Sequence, residues 1–168
     1  MRGPLDAETR HHAAKLLARC GALVVEPWRA RILYFGVCAT LDARRVTAHQ
    51  PHGRLVDARG AFLGIDTAVP ALTTGERDRV DAALHAAGAT IAAVGYAGPF
   101  AIDGFVYTTD AGERALQAVC EINARHTFGW VTRALGARTL GFGSPPPGAL
   151  VLIQPCEADA TCAWMLAP

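Results

Sequence analysis

At 168 residues, 51% apolar and 18% charged, the chain has the composition of one globular domain with a sizeable core, not of a disordered or fibrous protein. Its net charge of +1 gives no electrostatic reason to expect nucleic acid or an anionic membrane as partner. No apolar run approaches the ~20 residues that a bilayer span needs.

In chain order, Asp6–Arg19 carries helix start and stop signals: an acid near its beginning, bases near its end, and Gly21 just beyond. The start of the chain, with Asp6 and Glu8 and no apolar run, is unlike a signal peptide. Ala22–Val25 reads as a short strand, which Glu26-Pro27-Trp28 breaks because Pro27 cannot donate to a ladder. Arg31–Leu41 is a predicted strand, Asp42–Arg45 a turn, and Val46–Gln50 its antiparallel return. Arg54–Asp57 and Ala61–Ile65 form a second hairpin around Arg59-Gly60. Thr74–Val94 is the longest helical pattern, with Val80, Leu84, Ala87 and Ile91 at helical spacing.

Next come two apolar runs, Phe100–Tyr107 and Ala115–Ile122, which flank the polar segment Thr108–Arg114 and predict a long-looped hairpin. Val131–Leu135 is helical, Gly141–Gly148 an irregular proline-rich loop, Ala149–Gln154 a last strand, and Glu157–Pro168 a tail without clear pattern. The fold expected is α+β: a mainly antiparallel sheet with the Thr74–Val94 helix packed on one face.

The central hairpin carries the chemistry. Alternation puts Leu116, Ala118, Cys120 and Ile122 on one face, and Gln117, Val119, Glu121 and Asn123 on the other. Folding the hairpin brings Asp103 opposite Glu121 or one diagonal away. Like charges across a ladder repel. Either both carboxylates lie on a solvated face, or Asp103, Glu121 and the Asn123 carbonyl form a set of hard oxygen ligands of the kind Mg²⁺ takes. Arg125, two residues beyond Asn123, adds a cation suited to phosphate or carboxylate oxygens.

Asp103 followed by Glu121-Ile122-Asn123-Ala124-Arg125 resembles the metal-binding end of the ATP-grasp superfamily, with Ala124 where proline is common. The resemblance runs from about Asp6 to about Leu135. It implies Mg²⁺ (or Mn²⁺) on Asp103, Glu121 and Asn123, the ATP phosphates on that metal, and Arg125 as the catalytic residue on the acyl-phosphate. It implies that Glu26-Pro27-Trp28 is the hinge beside the adenine, making Glu26 and Trp28 candidate ATP contacts, and that Arg54 leans over the phosphates. Read without it, Trp28 is a hinge-packing aromatic and Arg54 a solvated turn residue.

No acid lies between Glu26 and Asp42 to hold a ribose, no glycine-rich phosphate loop occurs, and Lys15 is the one lysine. The domain reading that follows is 1–26 as the end of a small ATP-binding subdomain, 27–156 as the C-terminal subdomain, and 157–168 as tail.

The function implied is the metal- and phosphate-binding part of an ATP-dependent carboxylate–amine (or thiol) ligase. It would act on a small carboxylate substrate through an acyl-phosphate, in the cytoplasm, and be incomplete alone. A partner chain or self-association is expected over an exposed apolar surface beside the hinge, around Val25, Trp28 and Phe35. The alternatives are a degenerate ATP-grasp fragment serving as a non-catalytic binding or structural module, and an unrelated α+β protein with a coincidental E-x-N.

The five cysteines form no C-x-x-C pair and fit buried hydrophobes in a reducing compartment, which argues against zinc. His49 and His52 have no acid or thiol at metal-ligand spacing and read as solvated or core histidines.

Overall fold

A computed structural model describes residues 6–57, 60–139, 150–152 and 165–167. Among the described residues three helices, α1 (Ala7–Cys20), α2 (Thr74–Ala93) and α3 (Phe128–Thr139), accompany eight strands. The strands are β1 (Ala30–Asp42), β2 (Arg45–Ala48), β3 (His52–Val56), β4 (Phe62–Asp66), β5 (Gly98–Thr108), β6 (Arg114–Asn123), β7 (Leu150–Leu152) and β8 (Met165–Ala167). They form one sheet in the order β6-β5-β1-β3-β4-β7-β8, with β2 also paired to β1. Every pairing is antiparallel, and the chain is α+β as expected. Among the described residues no helix is long and apolar enough to cross a membrane.

Alternation along the two central strands builds the core. Phe35, Val37, Ala39 and Leu41 of β1 and Phe100, Ile102 and Val106 of β5 project to one face. There they meet Val80, Leu84, Ala87 and Ile91, the apolar stripe of α2. The start of α2 is fixed by a capping box, in which Glu76 N–H donates to Thr73 Oγ1 and Thr73 N–H to Glu76 Oε2. Arg114 of β6 donates to both oxygens of Glu76, at 2.8 and 3.0 Å, and holds that carboxyl below its usual range. One acid thus caps the helix and ties it to the edge strand.

The opposite face of β1 and β5 carries Gly36, Cys38, Ala101 and Asp103, and α3 lies at its end. Trp130 of α3 donates its indole N–H to the Phe100 carbonyl at 3.4 Å.

Several expectations need correction. Ala22–Val25 is not a strand: among the described residues nothing pairs with it, and Val24 and Val25 are 90% and 88% exposed. Phe35, expected at an exposed apolar surface, is fully buried under α2. Val119 packs toward the core beside Ala118 instead of keeping to the face of Glu121. A bulge explains this, since the register steps from Asp103↔Glu121 to Phe105↔Gln117 and sets Ala118, Val119 and Cys120 of β6 against Gly104 alone of β5. Met165–Ala167, in the segment read as a tail, pairs with β7. Arg59 and the Gly141–Gly148 loop lie outside the described residues.

Gly104 makes the bulge feasible. A Cβ there would lie 2.7 Å from the Ala118 carbonyl oxygen and 2.8 Å from that of Gln117, both main-chain atoms with little freedom to retreat. Gly104→Ala should therefore destabilise the fold by about 2 kcal/mol or more, as overpacking does. Urea unfolding reads this directly, and an unchanged midpoint would mean that the bulge yields.

Candidate functional site

Register places the site. Glu121 of β6 pairs with Asp103 of β5, Asp103 with Gly36 of β1, and Gly36 with His52 of β3. Directly paired residues project to the same face, so this row crosses four strands on the side away from α2. Asn123 and Arg54 lie two residues beyond Glu121 and His52 and share that face by the strand period. After β6 ends, a tight turn with Arg125 N–H on the Asn123 carbonyl brings Arg125 back over the row. Phe128 and Gly129, in the first turn of α3, complete a cleft of about 220 Å³.

The polar contacts inside the cleft are short and linked. Arg54 Nη1 lies 2.7 Å from Asp103 Oδ2. The same oxygen accepts from Asn123 Nδ2 at 3.1 Å, and Asn123 Oδ1 accepts from Arg125 Nη2 at 2.8 Å. Burial pushes the Asp103 carboxyl above its usual range; Arg54 opposes that shift, and the facing Glu121 reinforces it. Asp103 is thus a buried acid partly answered by one guanidinium and crowded by a second acid, while Glu121 stays exposed.

Two glycines shape the other half. A Cβ on Gly36 would lie 2.7 Å from His52 Nε2 and 3.1 Å from Asp103 Oδ1. One on Gly129 would lie 2.8 Å from His52 Nε2 and 2.9 Å from Cys38 Sγ. The imidazole is seated between a strand and the first turn of α3 because neither backbone carries a side chain there. Burial, with Arg54 and Arg133 nearby, depresses its pKa to about 4, so it is neutral at pH 7. Burial pushes the Cys38 thiol up to about 11, so it is no thiolate nucleophile.

Of the residues expected from sequence, the cleft brings together Asp103, Glu121, Asn123, Arg125 and Arg54. Arg54 is not a solvated turn residue; it sits in β3 and pairs with Asp103. Glu26 and Trp28 are not in the cleft. Glu26 lines a separate hollow of about 110 Å³ with Arg31, Phe105 and Cys120. The Trp28 ring lies under the Arg31 guanidinium, 4.5 Å from its centroid, and is half exposed. His52, which the sequence presents as a solvated or core histidine, lines the cleft, and so do Phe62 and Phe128, which the sequence did not single out. Gly36 was the one available signal, since a glycine inside an apolar strand marks a close approach.

The donor set fits a hard cation in part. Two facing carboxylates, one with its carboxyl raised by burial and by its neighbour, gain from a positive ion between them, and Mg²⁺ is commonly held by one or two carboxylates with waters and phosphates. Asn123 Oδ1 already accepts from Arg125, which engages one of its two lone pairs and leaves the other for an ion. Among the described residues no group of three or more His, Cys, Asp or Glu side chains is placed to hold a metal. Comparison with protein-family models, curated proteins and solved structures returned no match.

His52 gives the site a pH signature. Its native pKa lies below the ordinary 6.5, so the unfolded chain takes up the proton first. Stability is then full above about 6.5 and falls as pH drops toward about 4, by on the order of 3 kcal/mol. The difference between wild type and His52→Gln in urea unfolding should shrink over that window. A constant difference would show that His52 is not held neutral.

Proposed function

We propose that the chain is the metal- and phosphate-binding part of an ATP-dependent carboxylate–amine (or thiol) ligase of ATP-grasp type, acting in the cytoplasm. The observation that carries this reading is the cross-strand Asp103–Glu121 pair sharing one cleft with Asn123 and Arg125. Bound Mg²⁺ would offset charge on the transferring phosphoryl group.

The chain's own residues supply the rest. Asp103 and Glu121 would hold the ion. Arg54, already beside Asp103, and Arg125, at the cleft mouth, would direct charge-assisted hydrogen bonds at the phosphoryl and carboxylate oxygens. The γ-phosphoryl passes to a substrate carboxylate oxygen and ADP leaves. An amine or thiol then attacks the acyl carbon, expels phosphate and loses its proton. No side-chain nucleophile is needed.

The reading assigns the chain half of a site. The cleft of about 220 Å³ is below the roughly 300–1,000 Å³ of sites that enclose a ligand of drug size, so it takes the reacting groups and not a whole nucleotide. Lys15 lies in α1, which buries no residue, and supplies no phosphate contact in the cleft. Val24, Val25, Trp28 and Ile32 are exposed beside the proposed hinge, and a partner chain or second copy would cover them. A non-catalytic module is the second reading, favoured by Asp103 already being neutralised by Arg54.

Mg²⁺ should raise the melting temperature, because a ligand that binds only the folded state stabilises it. Glu121→Gln should abolish most of that rise, and an equal rise in both proteins would place the ion elsewhere. By calorimetry, ATP should bind weakly and only with Mg²⁺, without steady turnover by the chain alone. Micromolar binding or steady hydrolysis would overturn the half-site assignment.

A further inference from the structure

The cleft has two unlike ends. Asp103, Glu121 and Arg125 make one. At the other the rings of Phe62 and Phe128 stack, with centroids 5.5 Å apart and planes 12° apart, over the buried Ile65. Arg54 joins them: one nitrogen reaches Asp103, while its guanidinium carbon lies 5.3 Å from the Phe62 ring centroid.

Phe128 remains 47% exposed although it lies in the wall of a polar cleft. Its stacking partner Phe62 is partly covered, so the pair presents aromatic surface to whatever enters. Stacking between strand β4 and helix α3 holds that surface in place, and an apolar wall beside a few convergent polar groups is how small-molecule sites combine affinity with orientation. A guanidinium has five N–H donors, and Asp103 engages one of those of Arg54.

We propose that the cleft binds a carboxylic acid with an apolar, aromatic-type body. The carboxylate faces Arg54 and Arg125, and the body lies on Phe128 and Phe62. The binding is argued from the cleft alone; that this acid is the substrate rests on the ligase reading. A ligand with a second carboxylate at the body end would set that negative charge against the faces of the phenyl rings and lose the contact.

Calorimetry with phenylacetate and acetate, in the presence of Mg²⁺, tests the assignment. Phenylacetate should bind at least roughly tenfold tighter than acetate, the factor expected from burying part of one ring. Benzylamine, the same body with a positive charge, should bind more weakly than phenylacetate, because Mg²⁺ then holds the two acids and Arg54 and Arg125 repel the ammonium. Phe128→Ala should bring the two acids close to equal affinity, Phe128→Leu should restore part of the preference, and Arg125→Gln should weaken both acids. The inference is overturned if wild type binds the two acids equally, binds neither, or keeps its preference in Phe128→Ala. The wild-type comparison stands even if a variant does not fold. A preference for phenylacetate without any Mg²⁺ response sensitive to Glu121→Gln would support the acid site and sink the ligase reading. That Mg²⁺ response without the preference would do the reverse.

Discussion

A carboxylate in the middle of a sheet constrains everything around it. Asp103 is 8% exposed, on the second strand from the edge. Desolvation works against its ionised form, and a buried acid persists only if partners answer it. Arg54 and Asn123 supply the answer on a single oxygen, Oδ2. Arg54 must therefore stand in β3, across β1 from Asp103, and Asn123 must end β6 within reach on the other side. The hairpin register, the bulge at Gly104 and the packing of β3 against β1 all serve that meeting.

The same row explains where α3 sits. With a side chain at position 36, Asp103 and His52 would be pushed apart. With one at position 129, the first turn of α3 would be lifted off the sheet. Their absence lets the imidazole act as a wedge between sheet and helix, and the Phe62–Phe128 stack and the Trp130–Phe100 hydrogen bond fasten the helix on either side. A neutral His52 suits this role. A charged one would be buried beside Arg54 with no acid paired to it among the described residues, so protonation works against the wedge.

How much of this was legible in the sequence depends on sequence separation. Asp103, Glu121, Asn123 and Arg125 lie on one hairpin, and the two-residue period groups them before any tertiary contact is known. Arg54 belongs to a different hairpin. Its meeting with Asp103 depends on β3 lying beside β1, a long-range pairing that local pattern does not encode. His52 could be read as a solvated or core histidine, but its place in the cleft was hidden for the same reason, since its row exists only once β1 is flanked by both β3 and β5. The Phe62–Phe128 stack is equally non-local. Ala22–Val25 failed in the opposite way: its apolar, β-branched composition suits a strand, but among the described residues no strand pairs with it.

Charge balance ties the two ends of the cleft together. With Asp103 and Glu121 ionised, Arg54 and Arg125 bring the formal sum to zero. A lone anion would have to compete with the two acids for the guanidinium groups, and a lone dication would be repelled by those same groups. A cation and an anion entering together avoid both penalties: the cation draws Asp103 and Glu121, and the anion inherits the N–H donors that Asp103 and Asn123 had engaged. Each ligand then lowers the cost of the other, which is coupling in the thermodynamic sense and reciprocal by necessity. In the proposed reaction this favours a cleft that closes its electrostatics only when metal, phosphate and acid are all present, with the aromatic wall deciding which acid that is.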